Sequence, residues 1–497
     1  MKKLNHILFS ALIASLLMPS CKKALELQPI SQISNSSFWK TGDDAAGAMN
    51  GMYVNLRAEM LDGNLSCLFF LGDMRSDLLS TGMLTGPTAI YQNTLNPSNT
   101  TSDWSTYYTL IHSANLILKY VPNIDPITFS SYSKNDILAQ AHAMRAYAYF
   151  VLVRTWGDLP LVTEPTESSA NTQKPRSSKE EVFKLIKSDL DSSVALFPNN
   201  NLPVGRNIWS LPSVNALKAD VYLWTGKRLN GGMADFNTAL AALNQVQTAD
   251  VQLLPDYADV FNYNNKGNKE ILMTINFKQF ESPGNNAFRL SYFPPELFSA
   301  DFDDDSKAEI GTFGGSLGFQ IADWIRPQFM VDDSRRNATF YELYKTDPIT
   351  GDKSFFVSIQ TKFRGAIVNG TRLFLNDYPI YRYSDVLLMK AEAKNALGQD
   401  PSIEMDMVRQ RAYGSDFSSH VFVNGDMEQN DEAILKERLL EFALEGKRWW
   451  DLVRFGKVFE KVPSLQSRAG SDYLLLFPIS ANTLSLNPNL TQNPGYN

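Results

Sequence analysis

Helical periodicity with its own start and stop signals recurs along this chain, and no other feature limits the fold as much. Ser133 to Thr155 opens on Ser133, a residue type that caps helices, with an acid three residues later, Asp136, and Ile137, Ala141, Met144, Ala148 and Leu152 recur on one face. Ser178 to Phe197 begins with Ser178 and Glu181, a capping box, and stops before Pro198; its apolar face is Val182, Ile186, Leu190, Val194 and Phe197. Asp43 to Arg57, Asp103 to Tyr120, Ser213 to Thr225 and Asp235 to Val246 read the same way, the last two as a short-looped pair. Arg382 to Leu397 ends at Gly398, a C-cap residue, and Pro401 to Ala412 follows it. Helices of hairpin length in pairs bury their apolar faces only by stacking on neighbours, as in a tetratricopeptide (TPR) array. The expected fold is mostly α, a TPR-like helical-hairpin scaffold over 41–249 and 381–497.

Residues 250–380 interrupt this pattern. EILMTINF (270–277) and SFFVSIQTKF (354–363) read as strands, and SPGNN, YFPPE, DFDDDSK and GTFGGSLG between them form loops. The segment is expected to be an inserted, loop-rich region with a few short strands, and such insertions on rigid scaffolds carry binding surfaces. YLLLFPIS (473–480) reads as one late strand or extended segment.

The N-terminus gives an address. Lys2 and Lys3 precede a twelve-residue apolar run from Ile7 to Met18, then Pro19, Ser20 and Cys21. That run is too short to span a bilayer but suits the core of a signal peptide over 1–20. A cysteine directly after it resembles a bacterial lipobox, which makes Cys21 the lipidated N-terminus and 21–40 a tether. With only Cys21 and Cys67 present, disulfides do not staple the fold. Removing 1–20 takes two of 46 basic residues, leaving 44 against 53 acidic ones, which argues against nucleic acid as a partner.

RLLEFALEGKRWWDLVRFGK (438–457) poses the question of catalysis. Arg438, Glu441, Glu445, Arg448, Asp451 and Arg454 follow one another at steps of 3, 4, 3, 3 and 3, which is one stripe of a helix. A glycosidase needs two carboxylates across a substrate, one with a raised pKa. Each acid here has a base one turn away: Arg438 by Glu441, Glu445 by Arg448, Asp451 by Arg448 and Arg454. Guanidinium neighbours keep carboxylates ionised, so the stripe reads as a structural ion-pair girdle. Gly314, Ser316 and Gly318 match G-x-S-x-G but lack a strand before them and read as a loop. Asp301, Asp303 and Asp305 have the spacing of a calcium loop, yet Ser306 and Thr312 stand at positions six and twelve. A solvated acidic turn is the reading there, with calcium as the alternative and no other metal or cofactor expected. His112, His142 and His420 form no zinc motif, and a P-loop is absent.

Three stretches together resemble the SusD/RagB family of outer-membrane nutrient-binding lipoproteins: ERLLEFALEGKRWWDLVRFGK (437–457), AHAMRAYAYFVLVRTWGDLPLV (141–162) and YPIYRYSDVLLMKAEAKNALG (378–398). CKKALELQPISQIS, FWKTGDDAAGAMNGMY and the terminal NPNLTQNPGYN match in order and position, so the resemblance spans the mature chain. It implies a non-enzymatic lipoprotein, anchored in the outer membrane facing the exterior, that captures oligosaccharides for a TonB-dependent SusC-type transporter. In the RagB branch the ligand is a peptide, and a TPR-type interaction scaffold is the remaining alternative. Binding residues do not transfer from the resemblance. From the residues themselves, GDMRSD (72–77) offers Asp73, Arg75 and Asp77 as a polar cluster for hydroxyl groups, and Tyr91, Tyr292 and Trp324 offer aromatic faces in loop-rich sequence.

Overall fold

A computed structural model describes residues 38–58, 67–83, 88–100, 104–167, 173–282 and 284–496. The signal peptide, Cys21 and the tether up to residue 37 lie outside them.

Ten helices of eight residues or more build the scaffold among the described residues: α1 Gly42–Ala58, α2 Ser105–Tyr120, α3 Lys134–Trp156, α4 Lys179–Leu196, α5 Leu211–Arg228, α6 Gly232–Val246, α7 Tyr383–Ala396, α8 Ser402–Tyr413, α9 Met427–Phe442 and α10 Arg448–Phe455. Their ends follow the local chemistry. The Ser133 hydroxyl accepts the Asp136 N–H at 3.1 Å while the Asp136 carboxylate accepts the Ser133 N–H at 3.1 Å. Ser178 and Glu181 make the same reciprocal pair at α4. Each helix from α1 to α7 packs on the next, and α7 is flanked by both α8 and α9. The mostly α, TPR-like architecture is therefore present, and α3 and α5 are buried along most of their length.

The insertion is tied to this array at its root. β2 (Ile271–Ile275) pairs antiparallel with β8 (Tyr378–Arg382), both fully buried, and the pair rests on α5. A second tie comes from β1 (Leu79–Thr81), which pairs with β3 (Phe319–Ile321) and so joins the loop before α2 to the insertion. β4 (Phe340–Thr346) and β5 (Lys353–Gln360) form a hairpin, as do β6 (Ala366–Val368) and β7 (Thr371–Leu373). The second hairpin turns on Asn369 and Gly370, at φ 50° and 77°, the residues that a left-handed two-residue turn favours.

Two expectations need correction. Of the two readings of 473–480, the strand is not formed and the extended segment holds for its second half: a 3₁₀ turn covers Asp472–Leu475, the backbone is extended at Leu476 and Ser480, and Phe477 N–H donates to the Thr155 carbonyl at the end of α3 at 2.8 Å. The charged stripe is not one helix either. α9 ends at Phe442 and α10 starts at Arg448, with Leu444 and Gly446 at φ 71° and 69° between them. A Cβ on Gly446 would lie 2.1 Å from the Tyr378 hydroxyl and 2.7 Å from the Leu68 carbonyl, so glycine is demanded by contact as well as by conformation.

Candidate functional site

All six stripe residues are buried, and the break redirects their partners. Glu441 meets Arg382 at 2.5 Å, Arg335 at 3.2 Å and also Arg411. Glu445 accepts from Arg382 at 2.9 Å and from Lys362 at 2.7 Å. Arg454 grips Glu392 at 2.9 and 3.0 Å and Asp220 at 3.1 Å, while Arg438 lies 2.8 Å from Asp451. Of the pairings expected along the stripe, Asp451–Arg454 at 3.0 Å forms, whereas the expected Arg438–Glu441 and Glu445–Arg448 pairings give way to partners on other elements. Those partners stand on β8, α8, α10, the insertion and, for Arg448, the loop before β1. Burial alone would raise the Glu445 carboxyl, but Arg382, Lys362 and Lys447 pull it down to about 2. Glu441 is likewise raised by burial and held well below the carboxylate range by Arg411, Arg382 and Arg335. Carboxylates so held do not donate protons near neutrality.

GDMRSD belongs to this interior, which corrects its reading as a ligand-contacting loop. Asp73, Arg75 and Asp77 are 0, 1 and 3% exposed. The preceding short helix Leu68–Gly72 is entirely buried and draws the hexapeptide inward with it. Asp73 accepts the N–H groups of Gly446 at 2.8 Å and of Lys447 and Arg448 at 3.1 Å, capping α10. Burial pushes its carboxyl up to about 7 against the pull of those donors. Arg75 donates to Asn93 at 2.8 Å and to the Leu474 carbonyl, its guanidinium lying 4.2 Å from the Trp449 ring centre and 4.8 Å from that of Phe477. Asp77 receives two bonds of 2.8 Å from Arg448.

Tyr292 is corrected too. It is fully buried, donates to the Ile310 carbonyl at 3.0 Å and lies under Arg372. At the acidic turn, Asp303 caps the short helix Asp304–Ile310 through Ser306 N–H and pairs with Lys353 at 2.7 Å, and Asp301 pairs with Lys345 at 3.3 Å. Lysines thus engage two of the three acids, Asp301 and Asp303; Asp305 lies in the first turn of that same helix. Among the described residues no group of three His, Cys, Asp or Glu side chains is placed to hold a metal ion. The G-x-S-x-G stretch is loop, leading into β3.

Trp324 stays outside, 42% exposed. Its indole N–H donates to the backbone carbonyl of Asp77 at 2.8 Å, the residue whose carboxylate Arg448 clamps. The buried network therefore sets the direction of an exposed ring. Trp324 borders a groove of about 410 Å³ with Gln328, Glu432, Lys436, Lys461 and the edge of Asp77. Tyr91 ends the short helix Thr88–Tyr91, which packs on β1; burial and then the Asp323 carboxylate raise its hydroxyl pKa. Because Ala322 N–H extends the β1–β3 ladder to the Leu78 carbonyl at 3.0 Å, Tyr91 comes beside the turn that carries Trp324. Of the six aromatic and polar candidates, Trp324 is exposed at the groove, and Tyr91 is partly exposed and close enough to Asp323 to feel its charge. Gln328, Lys436 and the 73%-exposed Asp323 side chain were not picked out from sequence; a turn of the form A-D-W-I-R-P was the available signal.

A stacked-hairpin scaffold with a ring of its insertion held out over a groove against α9 defines the class: a TPR-like helical protein elaborated by one structured excursion. Within that class the chain belongs to the SusD/RagB family. Residues 234–470 match the SusD family profile, and 44–223 match a profile described as "Starch-binding associating with outer membrane". The structure is similar to that of B. fragilis NanU, 33% identical with a TM-score of 0.83, covering 95% of this chain and 100% of that one. A SusD superfamily protein from Bacteroides vulgatus is 32% identical with a TM-score of 0.80, covering 92% and 100%. SusD-like protein P38 of Formosa agariphila is 29% identical over 537 residues, covering both chains in full.

Proposed function

We propose that the protein is a non-enzymatic glycan-capture lipoprotein of the outer membrane, anchored through Cys21 and facing outward, that hands oligosaccharides to a TonB-dependent SusC-type transporter. The observation that carries this reading is Trp324. Its only polar atom is already engaged by the Asp77 carbonyl, so what remains exposed is an apolar ring face of fixed direction. Such a face suits the C–H side of a sugar ring, and Asp323, Gln328 and Lys436 around it suit hydroxyl groups. The starch-binding description of the profile matching 44–223 points the same way. The ionised state of Glu441 and Glu445 favours a structural role for them over acid catalysis, and Asp73, though raised by burial, is committed to three backbone N–H groups at the start of α10.

The test is a titration of the soluble protein from residue 22 onward against polysaccharides, oligosaccharides and peptides, with the same mixtures assayed for hydrolysis. Binding to one glycan class without product is the expected result. Released product would overturn the non-enzymatic reading, and binding to peptides alone would overturn the glycan reading in favour of a RagB-like one.

A further inference from the structure

Beneath the ion-pair network lies a polar cavity of about 40 Å³, bounded by α3, α5, α7, α9, α10, β8 and the break at Glu445–Lys447. Its walls are buried except at Lys447, which forms its mouth. Three of the lining side chains keep hydrogen-bonding atoms that meet no partner among the described residues: the Tyr378 hydroxyl, Trp450 Nε1 and Arg438 Nη1. These residues are 1, 5 and 4% exposed. Arg438 Nε pairs with Asp451 Oδ2 at 2.8 Å and helps to lower that carboxyl, while Arg438 Nη1 is left for the cavity.

We infer that this cavity is a hydration site, holding a cluster of two or three buried water molecules that bind Tyr378, Trp450 and Arg438 and make the ion-pair network internally wet. Three observations converge on water. The volume of about 40 Å³ admits roughly three to four molecules at about 10–15 Å³ each, room enough for a cluster of two or three. The orphaned groups are donors or hydroxyls, each of which is costly to bury without a partner. The wall is charge-balanced, with the cations Arg154, Arg438, Lys447 and Arg454 facing four carboxylates, so a neutral guest fits better than an anion.

The carboxylates also supply acceptors for water hydrogens. Asp451 receives Arg454 on Oδ1, and Asp220 receives Tyr381 and Arg454 on its two oxygens, each oxygen keeping lone-pair capacity toward the cavity. A water joining a donor to such an oxygen completes both. The apolar side of Trp450 is meanwhile occupied by the Arg154 guanidinium, 4.2 Å from its ring centre, which holds the indole in place beside the cavity.

Crystals of the mature protein diffracting beyond about 1.5 Å test this directly. The expected result is discrete water density within hydrogen-bond distance of Tyr378 Oη, Trp450 Nε1 and Arg438 Nη1. In Trp450→Phe, the peak nearest the former indole nitrogen should vanish while that on Arg438 persists. Oxygen-17 relaxation dispersion on the unaltered protein should report water residing far longer than surface water, a readout that does not depend on any variant folding. A cavity without density, its donors re-paired to protein groups, overturns the inference. An anomalous peak there after a bromide soak overturns it in the other direction, in favour of an anion site.

Discussion

Replacing Arg448 by methionine tests how the buried network bears on both stability and the exposed ring. The guanidinium gives Asp77 two bonds of 2.8 Å and the Leu435 carbonyl one of 3.0 Å, all inside the protein. Methionine fills much of the volume but leaves the Asp77 carboxylate buried without a counter-charge. Stranding one member of a buried pair costs about 3–5 kcal/mol, a large part of the roughly 5–15 kcal/mol that holds a folded protein together. The double variant Asp77→Leu/Arg448→Met removes the stranded charge as well. It should recover most of the loss, because an apolar pair of similar volume often matches a buried ion pair. Urea denaturation followed by tryptophan fluorescence measures both variants. The backbone carbonyl of Asp77 survives in the double variant, so Trp324 keeps its N–H partner and ligand binding should persist there. A single variant that loses less than about 1 kcal/mol, or a double variant no more stable than the single, would refute this account of the pair.

Trp324→Ala should weaken glycan binding by about 30-fold, near the 2 kcal/mol typical of a binding hot spot, with the midpoint of denaturation almost unmoved since the ring is largely outside the core; calorimetric titration decides, and unchanged affinity would move the site elsewhere. Gly446→Ala should cost on the order of 2 kcal/mol or more, because the new methyl meets Tyr378 and the Leu68 carbonyl at a positive φ; a thermal midpoint equal to that of the unaltered protein would contradict the crowding. For pH, two of the perturbed acids, Asp73 and Glu445, act in opposite directions. Asp73, at about 7 in the fold against 3.8 ordinarily, contributes stability that is complete below 3.8 and lost as pH rises through 7. Glu445, at about 2 against 4.5, contributes stability that is present above 4.5 and lost as pH falls through 2. Asp73→Asn should therefore flatten the fall in stability between those two limits of Asp73, and an unaltered slope in denaturation scans would show that Asp73 stays ionised throughout.

Signals that act within a few residues were readable from the sequence, and those that depend on closure of the chain were not. Ser133 with Asp136 and Ser178 with Glu181 are three residues apart, and their capping geometry forms as the spacing implies. The structural role of the 438–454 charges was legible for a similar reason, since guanidinium and carboxylate groups alternate among tryptophans and leucines. Their partners were not, because Arg335 reaches Glu441 across 106 positions and Arg382 reaches Glu445 across 63. The glycine inside the stripe was a warning against one continuous helix, and Gly446 is indeed where the backbone turns left-handed. Most instructive is the contrast between GDMRSD and ADWIRP. Both are short, charged and outside the long helices, so by composition both read as surface. The first follows CLFFL, whose Leu68–Leu71 are buried, and the chain stays inside through Asp77. Asp73, Arg75 and Asp77 then need partners inside, and α10 supplies them. ADWIRP follows the edge pairing of β3 instead, which leaves Asp323 and Trp324 on the outside of a two-stranded ladder with a single bond, from the indole to Asp77, tying the ring to that interior. Ile321 before ADWIRP is buried just as Leu71 before GDMRSD is, so what separates binding surface from buried network here is the long-range partner: the N–H groups of Gly446, Lys447 and Arg448 claim Asp73 and the Arg448 guanidinium claims Asp77, whereas Asp323 pairs with its near neighbour Arg326 at the surface.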